Sequence, residues 1–144
     1  MVGYRASRMA AESLRILVVD DHHLILRLLD MILEGAGHVP VGVESGPLAL
    51  AEAYCDPPDL CVIDEIMEGM SGSEVIRALR ASPDPRLARV PIIGISGREQ
   101  SRDGLLAAGA DAFLTKPVDE RALVEAVEAL TAARRPARPT EGAA

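Results

Sequence analysis

The sequence predicts an α/β domain with five parallel strands in a doubly wound sheet, covered by helices on both faces. Three features point to it. Strand-like and helix-like stretches alternate five times along the 144 residues, the pattern of a parallel sheet with right-handed crossovers. Most strand-like stretches are short, continuous apolar runs, as strands buried on both faces require. Three of the runs stop at charge: residues 16–19 at Asp20-Asp21, residues 60–63 at Asp64, and residues 113–115 at Lys116.

The elements follow in order. Residues 15–19 form the first strand, apolar from Ile16 onward and rich in β-branched side chains. After Asp21, Ile25, Leu28, Leu29 and Ile32 follow the i, i+3, i+4, i+7 rule of a helix with one buried face. Gly35 and Gly37 end that helix, because glycine takes the left-handed conformation cheaply. Val39, Val41 and Val43 alternate with Pro40 and Gly42 as a second strand. Pro40 cannot donate a ladder hydrogen bond, which assigns this strand to an edge. Ser45-Gly46-Pro47 starts a helix that runs through Leu48, Ala51 and Ala53 to Cys55 and stops at Pro57-Pro58. Residues 59–64 form the third strand and 65–72 a loop. Val75, Ile76 and Leu79 mark the next helix, and Pro83 and Pro85 the loop after it. The fourth strand is 91–96. A loop, 97–101, leads to a short helix, 102–108, stopped by Gly109. Strand five is 112–115, and Asp119 caps a last helix whose inward residues are Leu123, Val127 and Leu130.

Composition bounds the function. Length and pattern give one domain, residues 14–132, between tails at 1–13 and 133–144; Met9 is an alternative start, and the C-terminal tail is expected to be disordered. Half the chain is hydrophobic (49%) and a quarter charged (26%), so an ordinary core can form. With Tyr4, Tyr54 and Phe113 the only aromatics, that core must be aliphatic. The net charge of −7 argues against a nucleic-acid partner, and Arg134, Arg135 and Arg138 read as solvated tail. Cys55 and Cys61 read as reduced thiols in a cytoplasmic protein. No apolar run approaches the about 18 residues of a membrane span, so no membrane partner is expected.

Parallel strands of an open sheet bring their carboxyl ends to one edge, where such folds bind ligands. Asp20, Asp21 and Asp64 then share a pocket, and their mutual repulsion is relieved by a divalent cation. Oxygen ligands suit Mg²⁺, and no His/Cys cluster favours a softer metal. Adjacent histidines point to different faces, so His22-His23 reads as a helix start rather than as ligands. Taken alone, Asp20-Asp21 would also serve as a helix N-cap. A carboxylate can attack phosphorus and form an aspartyl phosphate. Positioning and charge neutralisation then do the rest: Lys116 can hold one phosphoryl oxygen as a point charge, and the Ser96 hydroxyl, at the end of the fourth strand, another.

These residues resemble a family. Residues 16–21 (ILVVDD), 64–72 (DEIMEGMSG), 91–97 (PIIGISG) and 109–117 (GADAFLTKP) are similar, in this order and spacing, to the receiver domain of two-component response regulators. The resemblance covers about residues 14–132. It implies a flavodoxin-like sheet with strand order 2-1-3-4-5. It implies that Asp64 is the phosphoacceptor, that Asp20, Asp21, Asp64 and the Ile66 carbonyl hold Mg²⁺, and that Ser96 and Lys116 bind phosphoryl oxygens. Ser96 and Phe113 would form the switch, and Lys116-Pro117 would be a cis peptide. The implied partners are a sensor histidine kinase or histidine phosphotransfer protein, and an output protein. The output protein would dock on the helix 4–strand 5–helix 5 face, formed by helix 102–108, strand 112–115 and the last helix; a homodimer is left open.

Departures from the family pattern lie in the loop after Asp64 and beside Ser96. Glu68 stands where proline is usual, which adds negative charge and removes a rigid φ. Ser96 replaces a more frequent threonine. Ile66 and Arg98 occupy positions that tune the lifetime of the aspartyl phosphate, and an apolar Ile66 implies a lifetime of minutes or longer. The chain would catalyse only its own phosphorylation and dephosphorylation, with no effector domain following. Three readings stay beside this one. The chain is a receiver-like interaction module that is never phosphorylated, or a receiver fragment of a larger hybrid kinase or multidomain regulator, or an enzyme or flavin module of related shape. A haloacid-dehalogenase-type hydrolase needs an acid two residues after its nucleophile, where Ile66 stands. A flavodoxin phosphate loop would be repelled by Asp20-Asp21.

Overall fold

The computed structural model describes residues 13–134. Expectations for residues 1–12 and 135–144, which make up most of both tails and include Met9, Arg135 and Arg138, lie outside the described residues.

The five apolar runs are strands β1 (Arg15–Val19), β2 (Val39–Val43), β3 (Leu60–Asp64), β4 (Ile92–Ser96) and β5 (Ala112–Thr115). All pair in parallel, in the order β2-β1-β3-β4-β5. The proline-bearing strand β2 is at an edge, as its missing donor requires. Six helices join them among the described residues: α1 (His23–Gly35), α2 (Gly46–Cys55), α3 (Gly72–Arg80), α4 (Pro85–Ala88), α5 (Ser101–Ala108) and α6 (Glu120–Arg134). None of these helices is long and apolar enough to cross a membrane.

Side chains alternate across the sheet and build two cores. Ile16, Val18, Leu60, Val62, Ile93 and Ile95 point to α1 and α6. Leu17, Val19, Cys61 and Ile63 point to α2, α3 and α5. Each fully buried Leu or Ile contributes about 1.5–3 kcal/mol, so both faces stabilise the layer that carries the strand ends. Several helices start where the sequence supplies acceptors. Ser45 Oγ accepts from the Leu48 amide, and Asp119 from the Ala122 amide. Ser71 and Glu74 form a reciprocal capping box at α3.

The structure corrects several details. On α1 the buried residues are Leu26, Leu29, Ile32 and Leu33, while Leu28 is 46% exposed; the inward stripe is rotated from the one expected. On α2, Leu48 is 56% exposed and Ala51 is exposed. Ala49 and Ala53, the latter among the residues named from the sequence, are buried against the sheet. Residues 85–88, expected as loop, form the short helix α4, with Asp84 accepting from the Arg86 amide. Helix α6 runs to Arg134.

Two glycines are expected to respond in opposite ways to alanine. A Cβ at Gly72 would overlap the Asp64 backbone carbonyl, so Gly72→Ala should destabilise by about 1–3 kcal/mol. At Gly104, within α5, a Cβ meets nothing within 4 Å, and Gly104→Ala should stabilise by about 0.5–1 kcal/mol. Urea unfolding of both variants checks the pair.

Candidate functional site

Strand register assembles the site. Val19 pairs with Ile63, so the next residues, Asp20 and Asp64, emerge side by side at the carboxyl edge. Asp64 pairs with Ile95, which sets Ser96 one step further along the neighbouring strand. Ser96 pairs with Thr115, and the Lys116 amide donates to the Ser96 carbonyl at 2.9 Å. The Lys116-Pro117 peptide is cis.

Asp20 and Asp64 are buried, at 0% and 2% exposure, while Asp21 is open to solvent. One oxygen from each of the three carboxylates lies within 4.8 Å of the others. Among the described residues no other such group of His, Cys, Asp or Glu forms. The Lys116 ammonium lies 2.9 Å from Asp20 Oδ2 and 3.0 Å from Asp64 Oδ1. The sequence led us to expect Lys116 beside a phosphoryl group; the structure adds that it bridges two aspartates. Asp20 Oδ1 accepts from the His22 amide at 2.9 Å, and Asp21 Oδ2 from the Glu68 amide at 3.2 Å. His22 precedes α1 without capping it by its side chain. His23 Nδ1 lies 3.1 Å from Glu44 Oε2, and neither histidine belongs to the carboxylate group.

Charge and burial act together here. Burial first, then the charges of Asp20 and Asp21, push the Asp64 carboxyl up to about 6 against the opposing pull of Lys116. For Lys116, burial acts downward, but the hydrogen bonds and charges of Asp20 and Asp64 outweigh it and hold the ammonium above its usual value. The donor set consists of hard oxygens carrying excess negative charge. It therefore fits Mg²⁺.

The loop after β3 is pinned at both ends. The Glu65 carboxylate accepts from the Ser73 amide and hydroxyl, both at 2.8 Å, and the Glu65 carbonyl accepts from Gly72 at 3.0 Å. Ile66 (49% exposed) and Glu68 stand on this loop in solvent. Ser96 is buried, and its hydroxyl accepts from the Arg98 amide (3.1 Å) and donates to Ser101 Oγ (3.0 Å). The Arg98 side chain is exposed. Phe113 is partly buried against the α2–α3–α5 core, next to Gly94. Sequence reasoning passed over Glu65, Ser73 and Ser101, whose polar side chains carry no periodic signal.

A family model described as the response regulator receiver domain matches residues 16–128. The chain belongs to this family. The receiver is 39% identical over 121 residues to the response regulator PleD of Caulobacter vibrioides, covering 83% of the chain but only 26% of PleD. It is 33% identical over 120 residues to the protein PilH of Pseudomonas aeruginosa, covering 82% of the chain and 98% of PilH. Among solved structures, a putative response regulator from Chloroflexus aurantiacus superposes with a TM-score of 0.79 at 28% identity, covering 84% of this receiver and 99% of that chain.

The raised Asp64 makes stability depend on pH. Between about 4 and 6 the folded receiver binds more protons than the unfolded chain, so stability falls as pH rises through that window. Asp64→Asn removes the penalty. Without metal, the variant should be more stable than wild type by about 1 kcal/mol at pH 7.5, after allowance for solvent screening, and the gain should vanish towards pH 4. Urea midpoints at the two pH values test this; a variant weaker than wild type at pH 7.5 contradicts it.

Proposed function

We propose that this receiver accepts a phosphoryl group on Asp64 from a phosphohistidine of a sensor histidine kinase or histidine phosphotransfer protein, with Mg²⁺, and thereby switches a protein-binding surface. The observation that supports it most is the Lys116 ammonium between two buried carboxylates. With a pKa of about 6, Asp64 is largely ionised at neutral pH and available as a nucleophile. Its oxygen attacks phosphorus, the donor's N–P bond breaks, and the imidazole leaves with a proton. Lys116 then neutralises one phosphoryl oxygen and the Ser96 hydroxyl donates to another. Asp20, Asp21, Asp64 and the Ile66 carbonyl would hold Mg²⁺. When bound, the cation supplies positive charge against both the carboxylates and the phosphoryl oxygens.

Movement of Ser96 towards the phosphoryl group, with Phe113 turning inward, would remodel the α5–β5–α6 face that meets the output partner. Ile66, Glu68 and Arg98, all exposed, would act as modulators of the aspartyl phosphate's lifetime. The donor must reach the same rim. On α1, which starts beside Asp21, Leu24 (71%), Leu28 (46%) and Met31 (62%) leave an exposed apolar stripe at i, i+4, i+7 spacing, suited to a helical donor. The extents of the PilH and PleD matches are compatible with a stand-alone regulator and with one module of a larger one. Either way a cytoplasmic location fits.

Intact mass after incubation with acetyl phosphate and Mg²⁺ is expected to show one phosphoryl adduct in wild type and none in Asp64→Asn. The adduct should decay over minutes or longer. Unmodified wild type would overturn the proposal and leave a receiver that binds partners without phosphorylation. Leu28→Asp should slow phosphotransfer from a phosphorylated donor protein about tenfold while leaving the acetyl phosphate reaction unchanged. Equal slowing of both reactions would remove α1 from donor docking.

A further inference from the structure

The Ser96 hydroxyl carries one hydrogen, and its hydrogen-bond partners in this structure are Ser101 and the Arg98 amide rather than the aspartates. Ser96 Oγ donates to Ser101 Oγ at 3.0 Å and accepts from the Arg98 amide at 3.1 Å. A hydroxyl has a single donor, so it cannot serve Ser101 and a phosphoryl oxygen at the same time. The contact is placed to matter. Ser101 is the first residue of α5. From Gly97 to Gly104 it is the one residue that is not exposed. The residue before it, Gln100, makes no side-chain capping hydrogen bond, and only the backbone turns from Ser101 to Arg98 and from Arg102 to Glu99 close the connection. The next anchor is Leu105, buried over Gly94.

We infer that Ser101 is a positioning residue of the phosphorylation site: it turns the Ser96 hydroxyl towards α5 in the resting receiver, and engagement of Ser96 by a phosphoryl oxygen breaks this bond and releases the first turn of α5. The inference rests on the proposed role of Ser96 and deepens it. The phosphoryl group and Ser101 compete for the Ser96 hydroxyl, so each weakens the other's hold by the same factor. The reach is short. Four residues separate the strand end at Ser96 from the start at Ser101 of the helix that borders the expected output face, and the switch needs no longer path.

Beryllofluoride with Mg²⁺ is the probe, titrated into wild type, Ser101→Ala and Ser101→Thr, with backbone amide hydrogen exchange of residues 101–105 followed in parallel. Wild type should bind beryllofluoride and exchange faster over 101–105 once it is bound. Ser101→Ala loses the competing acceptor. It should bind roughly two- to tenfold more tightly, the worth of one neutral hydrogen bond, and should exchange faster before any ligand is added. Ser101→Thr keeps a hydroxyl and should restore wild-type affinity and protection. In a Ser96→Ala background, Ser101→Ala should change neither quantity. If Ser101→Ala binds with wild-type affinity, or more weakly, the positioning role is excluded while the phosphoacceptor reading stands. If wild type binds no beryllofluoride, both fall together.

Discussion

Two carboxylates buried side by side, with one ammonium lodged between them, are the constraint on which this structure turns. Asp20 and Asp64 stand next to each other because β1 and β3 are neighbours in register. Burial first, and then their mutual repulsion, favours a proton on Asp64 and pushes its pKa to about 6. Lys116 offsets part of that cost from two strands away. The remaining negative charge is what suits the site to a hard cation. A pocket fully satisfied by its own ion pairs would have no use for one.

The surroundings divide into a rigid layer and connections that are held only locally. Aliphatic side chains cover both faces of the sheet and fix the strand ends. The loop after β3 is different. Glu65 ties its base to Ser73 and Gly72, and the Glu68 amide ties its far side to Asp21. A change in charge at Asp21 therefore reaches that loop through a single hydrogen bond. The connection after β4 is tied mainly through Ser96, and its other residues face solvent. Functional movement belongs to such segments, which have few buried contacts to lose.

Much of this was legible in the chain. Apolar runs of strand length, glycine and proline stops, and charge at three run ends were enough for the five parallel strands and the edge position of β2. They also singled out Asp20, Asp21, Asp64 and Lys116, since a buried strand that ends in charge has few structural reasons to do so. Helix faces were less legible. Leu28 fits an inward stripe by periodicity, yet it lies in solvent. On α1 two apolar stripes compete, and packing against the sheet selects the one through Leu26, Leu29 and Leu33.

What the sequence determined by itself is the set of elements and the chemistry gathered at one edge, because hydrophobic periodicity and strand-end charge are local properties. What only the tertiary structure decided is which partner each polar atom takes. That Lys116 bridges two aspartates, that Glu65 clasps Ser73, and that the Ser96 hydroxyl pairs with Ser101 depend on register and loop path. Hydrogen bonds and ion pairs form over about three ångströms and with defined direction. Residues distant in the chain acquire such neighbours only when the whole sheet is in place.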